Sequence, residues 1–195
     1  ARTRRGGALA PVSRNGFWLS LGLLVLAFAL DRIHKFAQVS WDCVSVGNAV
    51  CVEYLGGFTP ESMANWRGGE IVPVTPFFDY VLVWNTGISY GLLGSLPVWA
   101  IGALMAAALV LLIAWWLRSN SALVRSGLAL CIGGALSNGL DRLLYGAVAD
   151  FFHFHWQEWS FYVFNIADVM ITAGVLLLVL DVLGIGRPKA TSTGK

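Results

Sequence analysis

Four apolar stretches, each long enough to cross a lipid bilayer as a helix, constrain this chain more than any other feature. They span residues 17–37, 98–117, 123–145 and 161–183. A helix needs about 20 residues to cross the hydrocarbon core of a membrane. The sequence therefore predicts an all-α membrane protein with four transmembrane helices. The last three stretches follow one another through short connections, so we expect them to form hairpins.

The composition excludes several other classes of protein. Of the 195 residues, 57% are hydrophobic and 12% are charged, and the mean hydropathy is +0.69. Soluble domains carry about 25% charged residues. These values exclude a disordered chain, a collagen-like fibre and an ordinary cytosolic enzyme. The net charge of +2 is too small to suggest a nucleic-acid partner.

The placement of the charges predicts an orientation in the membrane. Basic residues dominate both termini and the loop between the second and third stretches, whereas segment 38–97 carries five acidic residues and one basic residue. By the positive-inside rule, tails 1–16 and 185–195 are cytoplasmic and flank a membrane domain, 17–184. Segments 38–97 and 146–160 then lie on the outer side. One alternative is that the first stretch is a cleaved signal peptide, since it ends near the small-x-small sequence 27–29.

Segment 38–97 is expected to contain a small β-rich element rather than a linker. Paired glycines and prolines divide it into short runs, of which 77–84 is rich in aromatic and β-branched residues. The segment also contains Cys43 and Cys51, which could form a disulfide if it is extracytoplasmic, although loop cysteines can also stay reduced. The third cysteine, Cys131, lies in an apolar run and is expected to be buried.

Polar side chains gather at the outer ends of three of the four stretches. Helical spacing places each group on one helix face: Asp31 with Lys35; Asn138 with Asp141 and Arg142; Asn165 with Asp168. A charge at the centre of a membrane helix costs roughly 2.5–3.5 kcal/mol on insertion scales. Such residues either form a functional site or anchor helix ends. With a helix starting at 161, Asp168 would lie about seven residues, or roughly 10 Å, inside it.

Asp150 and Asp168 are the strongest candidates for chemistry. Asp150 lies in the connection before the fourth stretch, among Phe151, Phe152 and Phe154, and apolar surroundings raise the pKa of a carboxyl group. If the two carboxyl groups are close, one keeps a proton. One member could then activate water while the other protonates a leaving amine.

Other kinds of site have weaker support. His153 and His155 could share a strand face as metal ligands, with Glu158 or His34 as a third ligand, but we expect no metal and no cofactor. Ser89, Ser95 and Ser137 lack the context of a nucleophilic serine. A transporter or proton-relay subunit would need polar groups near the inner side too, where only Asp181 is available. A catalytically inert binding protein of the same fold is the remaining alternative.

Four sequence blocks together carry a resemblance to a known family. The blocks are 31–35 (D-R-I-H-K), 85–91 (N-T-G-I-S-Y-G), 133–151 (G-G-A-L-S-N-G-L-D-R, then G-A-V-A-D-F) and 164–168 (F-N-I-A-D). They resemble the lipoprotein signal peptidases, also called type II signal peptidases. The third and fourth blocks are specific to that family, and the resemblance runs from about residue 17 to 184. Two departures stand out: Ser137 where the family usually has glycine, and Ile88-Ser89-Tyr90 in place of the common Ala-Ala-Phe.

The resemblance implies an aspartic endopeptidase with its active site at the outer face of the bacterial inner membrane. Its substrate is a prolipoprotein that carries diacylglyceryl on a cysteine, and it cuts just before that cysteine, within reach of membrane lipid. The resemblance assigns catalysis to Asp150 and Asp168. It assigns contacts with substrate or the inhibitor globomycin to Asn85, Gly87, Asn138, Arg142 and Asn165. Asp31, Lys35 and Asp141 would support the site, with Asp141 pairing with or orienting Arg142. We further expect a monomer, and Asn138 and Asn165 as candidate donors to the oxyanion.

Overall fold

The computed structural model describes residues 14–39, 71–86 and 98–185. In chain order the elements are α1 (Arg14–Val39), β1 (Val72–Thr75), β2 (Phe78–Asn85), α2 (Val98–Arg118), α3 (Ala122–Tyr145), β3 (Val148–Trp156), β4 (Trp159–Ser160) and α4 (Ile166–Val182). Each predicted stretch thus contains a helix. Within these described ranges, two helical regions qualify as membrane spans by length and composition, Gly16–Phe36 and Ala122–Tyr145, and Gly102–Arg118 is a shorter apolar helix.

Helix α3 is the central helix of the bundle and packs against α1, α2 and α4. Glycines allow two of these approaches. A Cβ atom on Gly133 would lie 2.5 Å from the Leu24 carbonyl oxygen of α1, and one on Gly134 would lie 2.6 Å from the Ala167 carbonyl oxygen of α4. Gly139, on the same helix, faces open space. The short side chains therefore let the α3 backbone touch both neighbours near the polar residues that it carries.

The apolar core of the bundle lies away from those polar residues. Trp116, Val124, Leu128 and Ile132 are buried together between α2 and α3, and Phe17 of α1 packs against them. The indole N–H of Trp116 donates to Ser20 Oγ, 3.1 Å away, so this buried polar group is satisfied. Cys131 is buried and unbonded to any other cysteine, as the sequence predicted.

The sheet is larger than the β-rich element predicted from the sequence. Its four strands have the order β1-β2-β3-β4 and pair antiparallel. The run predicted at 77–84 forms β2, but its partner β3 comes from the connection between α3 and α4, which we expected to be a short hairpin loop. The protein is therefore helical with a four-stranded antiparallel sheet, and "all-α" understates the role of β3. Phe151 of β3 is fully buried beside Leu82 of β2.

Helix α4 begins five residues later than predicted. Phe164 is extended and bridges to Phe152 of β3, so the chain before Asn165 belongs to the sheet side of the molecule. Asn165 is the N-cap of α4 and forms a capping box with Asp168. Asp168 therefore lies in the first turn of α4 rather than about seven residues inside the helix. This places it level with β3.

Some sequence predictions fall on residues outside the described ranges. These are the pairing of Cys43 with Cys51, the position of Gly87, and the structure of 40–70 and 87–97.

Substituting Gly134 by alanine should separate α3 from α4. The obstructing atom is a backbone oxygen that cannot rotate away, so we expect a loss of about 1–3 kcal/mol in the free energy of unfolding. Gly139→Ala on the same helix should be neutral, or stabilising by up to about 1 kcal/mol, because alanine is the better helix former. Thermal unfolding of both variants in detergent tests this. Equal effects would show that the close contact of Gly134 does not matter.

Candidate active site

Asp150 is held in place by the register of the sheet. It lies on β3 opposite Val83 of β2, and Asn85 at the end of β2 is paired with Val148. The Asn85 amide therefore reaches the carboxyl group and donates to Oδ2 at 3.2 Å. Asn165 donates to Oδ1 at 2.6 Å. Asp150 is only 2% exposed, so it depends on these amides in place of water.

Asp168 is held in place by the first turn of α4. Its Oδ2 accepts from the backbone N–H of Asn165 at 3.2 Å, which is one half of the capping box. Its own N–H donates to Asn165 Oδ1 at 3.0 Å, which is the other half. On the opposite side, Asn138 of α3 donates to Asp168 Oδ1 at 2.9 Å. The remaining surface of Asp168 is partly open, unlike that of Asp150.

Asn165 connects the two aspartates. Its side-chain oxygen caps the helix that carries Asp168, while its side-chain nitrogen donates to Asp150, to the Ala149 carbonyl oxygen at 3.2 Å and to Asn138 Oδ1 at 3.0 Å. This side chain is fully buried. The structure thus brings Asp150 and Asp168, predicted from different segments, into one hydrogen-bonded group.

The surroundings of Asp150 favour its protonated form. Burial raises the pKa of its carboxyl group, and repulsion from the nearby Asp168 carboxylate raises it further, to about 7, against the opposing hydrogen bonds from Asn85 and Asn165. Two adjacent carboxyl groups of this kind are suited to proton transfer near neutral pH.

Arg142 of α3 lies within electrostatic range of both aspartates and of Asp141. It is thus a cation near the carboxyl pair on the α3 side. Asn138 and Asn165 were proposed above as donors to an oxyanion. In the structure the Asn138 side-chain nitrogen donates to Asp168, and that of Asn165 donates to Asp150 and to Asn138 Oδ1. In this structure they orient the carboxyl groups.

A buried ionic cluster lies beneath the aspartates, and it fixes α1 against α3. Lys35 Nζ is 2.8 Å from Asp31 Oδ2, which confirms the predicted i, i+4 pair, and 2.7 Å from Asp141 Oδ2. Arg32 also pairs with Asp141. Asp141 thus joins α3 to α1 through two cations, a role that the sequence did not predict for it. The same Oδ2 atom of Asp141 accepts from the Ala149 N–H at 3.3 Å, next to Asp150.

Asp31 extends the cluster to α4. Its Oδ1 accepts from the backbone N–H of Ala167 at 2.9 Å, at the beginning of α4. Its Oδ2 accepts from Ser137 Oγ at 2.6 Å. Ser137 is one of the two departures from the family pattern noted in the sequence analysis, and its hydroxyl is fully buried against Asp31. Sequence reasoning missed the contacts of Ser137 and Arg32. Both are neighbours of residues that it selected, but helical spacing does not say which helices meet.

The two candidate metal-ligand histidines face a different partner from those predicted. His153 Nδ1 and His155 Nε2 lie 3.2 and 3.1 Å from Asp79 Oδ2, rather than beside Glu158 or His34. His34 instead contacts the Tyr80 hydroxyl at 3.0 Å. Across the described ranges, no group of three or more His, Cys, Asp or Glu residues is arranged to hold a metal ion.

A carboxyl pair at the junction of a helix bundle and a sheet, in a chain with apolar outer faces, is the arrangement expected of a membrane-associated enzyme of the aspartic class. Comparison with known proteins identifies its family. The model of the signal peptidase (SPase) II family matches residues 23–184. The chain therefore belongs to the signal peptidase II family, and it is a peptidase.

Individual relatives agree with this assignment. The chain is 49% identical over 123 residues to a lipoprotein signal peptidase of Methylorubrum extorquens, covering 62% of this chain and 71% of the relative. It is 52% identical over 125 residues to a lipoprotein signal peptidase of Rhodopseudomonas palustris, covering 60% and 76%. A solved structure described as a bacterial membrane enzyme has the same fold, with a TM-score of 0.67, 22% identity, and coverage of 91% of this chain and 95% of that one.

The raised pKa of Asp150 should make stability depend on pH. A group whose pKa is higher in the folded protein than its ordinary value of 3.8 binds its proton more tightly when folded. Between pH 3.8 and about 7, this group therefore makes the free energy of unfolding fall as pH rises. Asp150→Asn removes the titration, so the fall should become shallower. Thermal unfolding in detergent across this range tests it, and parallel curves for the two proteins would contradict the assignment.

Proposed function

We propose that the chain removes the signal peptide from prolipoproteins that carry diacylglyceryl on a cysteine, and that it cuts just before that cysteine. Membership of the signal peptidase II family supports the reaction. The observation that carries the chemistry is the pair of carboxyl groups, the buried Asp150 and the partly open Asp168, joined through Asn165.

In the proposed mechanism the two aspartates share one proton. The ionised member takes a proton from water, which attacks the scissile carbonyl carbon, while the protonated member donates a hydrogen bond to the carbonyl oxygen. The tetrahedral intermediate then collapses as an aspartic acid protonates the leaving amine. The pKa of about 7 for Asp150 allows either assignment of the proton near neutral pH. No covalent intermediate is needed.

The substrate would lie across the partly open side of Asp168. Asn85 and Arg142 flank the carboxyl pair from β2 and α3, and they are the proposed contacts for the peptide backbone and for globomycin-type inhibitors. Gly87, which lies outside the described residues, is proposed as a further substrate contact because it follows Asn85 closely in sequence. The lipid chains would contact the exposed apolar surfaces near the site, where Phe36 and Leu143 project outward. The enzyme would act as a monomer.

We further propose that all four helices cross the inner membrane, with both termini in the cytoplasm and the active site at the outer face. The basic residues at the termini and in the α2–α3 loop support this orientation. The site also lies where α1 and α3 end and α4 begins, which is one side of the bundle. At the opposite end, Asp181 accepts a hydrogen bond from Ser121 Oγ at 2.8 Å, the N-cap of α3. That contact gives Asp181 a structural role and weakens the transporter alternative.

Replacing either aspartate by asparagine should abolish cleavage. Asparagine keeps the shape of the side chain but cannot exchange a proton, so we expect kcat to fall by at least about 10²–10⁴-fold. Asp181→Asn, the same change at the other end of the bundle, should leave kcat unchanged. The assay is cleavage of a diacylglyceryl-modified prolipoprotein by the purified protein in detergent, with and without EDTA.

Each other outcome of this assay has a distinct meaning. Cleavage retained by Asp168→Asn would disprove the catalytic pair. Activity lost with EDTA would point to a metal-dependent reaction instead. A folded wild-type protein that does not cleave the substrate would favour the inert binding protein.

The proposed orientation predicts opposite labelling of two single cysteines. After replacement of Cys43, Cys51 and Cys131, Glu158→Cys in the β3–β4 turn should react in intact cells with a membrane-impermeant maleimide. Asn120→Cys in the α2–α3 loop should react only after the membrane is permeabilised. Both positions are exposed, so burial does not explain a difference. The reverse pattern would invert the topology.

A further inference from the structure

Lys35 makes one contact that its role in the ionic cluster does not require. Its ammonium group has three N–H donors. Two are directed to Asp31 and Asp141, and the third is directed to Asn138 Oδ1 at 2.9 Å. The residue is only 3% exposed, so no donor is left for water. One of the three N–H donors of Lys35 therefore forms a hydrogen bond with the neutral side-chain amide of Asn138 on α3.

This contact determines which way the Asn138 amide points. Asn138 Oδ1 accepts from Lys35 and also from Asn165 Nδ2 at 3.0 Å, which uses both of its lone pairs. If the amide were reversed, its NH₂ group would face two sets of donors and leave them unpaired, at a cost of about 1–3 kcal/mol for each buried group. With the amide in its present orientation, Nδ2 faces Asp168 Oδ1.

We propose that Lys35 is a positioning residue for peptide cleavage: it fixes the Asn138 amide so that Asn138 donates to Asp168 and holds that carboxyl group in its working orientation. The chain of contacts is Lys35 to Asn138 to Asp168. The inference rests on the proposed function, because it assumes that Asp168 takes part in the reaction. Lys35 reaches Asp168 through the Asn138 amide by hydrogen bonds, and its charge also lies within electrostatic range of both aspartates, so the test must separate these two effects.

The alternative is that Lys35 only balances charge, and Arg32 separates the two roles. Arg32 is the other cation of the cluster and pairs with Asp31 and Asp141. Arg32 donates a hydrogen bond to Asp141, whereas the hydrogen bond from this cluster to Asn138 is donated by Lys35. Removal of either cation leaves the cluster short of one positive charge, but only removal of Lys35 frees the Asn138 amide.

The test is a double-mutant cycle on cleavage of the diacylglyceryl-modified prolipoprotein, with Lys35→Met and Asn138→Ala. A small misplacement of a catalytic group costs roughly 100-fold in rate, so we expect each single variant to lose kcat on about that scale, with KM little changed. The double variant should be no slower than Asn138→Ala alone, because Lys35 acts through Asn138. Arg32→Gln should retain far more kcat than Lys35→Met.

Lys35→Met leaves two carboxylates facing one arginine and could impair folding. The variant Asp31→Asn/Lys35→Met restores a neutral cluster, and Asp31→Asn alone is its reference. Thermal unfolding of every variant shows which ones are folded at the assay temperature. The kcat of Asp31→Asn/Lys35→Met should still be lower than that of Asp31→Asn.

Three results would overturn the proposal. They are losses that multiply in the double variant, a raised KM with unchanged kcat in Lys35→Met, and equal losses in Lys35→Met and Arg32→Gln. Asp168→Asn is assayed in parallel. If it is inactive while the cycle is additive, the positioning role fails and the catalytic pair stands. If it is active, the catalytic pair itself fails.

Discussion

The burial of the Lys35 ammonium group between Asp31 and Asp141 is the interaction on which the rest of the structure depends. Removing charges from water costs several kcal/mol per ion, and removal of one partner leaves an uncompensated charge. The observed packing satisfies this group, because α1 and α3 are in contact at the level of Lys35. Because Asp31 also accepts from the Ala167 N–H, the same arrangement fixes the start of α4. The glycines of α3 allow the close approach that these short distances require.

The proposed active site is built where this bundle meets the sheet. One aspartate comes from the first turn of a helix and the other from near the beginning of a strand, so each is attached to regular backbone structure. Asn165 caps the helix and bonds to the strand residue, which sets the relation between the two carboxyl groups without a flexible loop. Burial at this junction raises the pKa of Asp150 and makes proton exchange at neutral pH possible. The contacts of Asn165 and the burial of Asp150 thus stabilise the fold and also position the two carboxyl groups for the proposed reaction.

The sequence predicted the helices well and their contacts poorly. Apolar length located all four helices, and i, i+4 spacing identified the pair of Asp31 and Lys35. The sequence could not show that Asp141 contacts Lys35, because residue spacing describes one face of a helix and does not identify the helix that packs against it. The beginning of α4 was misplaced since the aromatic residues before Asn165 are as apolar as a membrane helix, although they continue the sheet side of the chain. Strand β3 was missed because its partner β2 lies more than 60 residues earlier, so no local pattern reveals the pairing.

The proposed reaction requires Asp150 and Asp168 to form a coupled pair that holds one proton at neutral pH. Infrared difference spectroscopy measures this directly, because a protonated carboxyl group has a carbonyl stretch distinct from that of a carboxylate. A shared proton predicts one buried carboxylic acid band in the wild-type protein just below the pKa of Asp150, shifted or lost in both Asp150→Asn and Asp168→Asn. We expect no change of that band in Asp181→Asn. A wild-type protein without the band, or a band insensitive to both active-site substitutions, would contradict a shared proton.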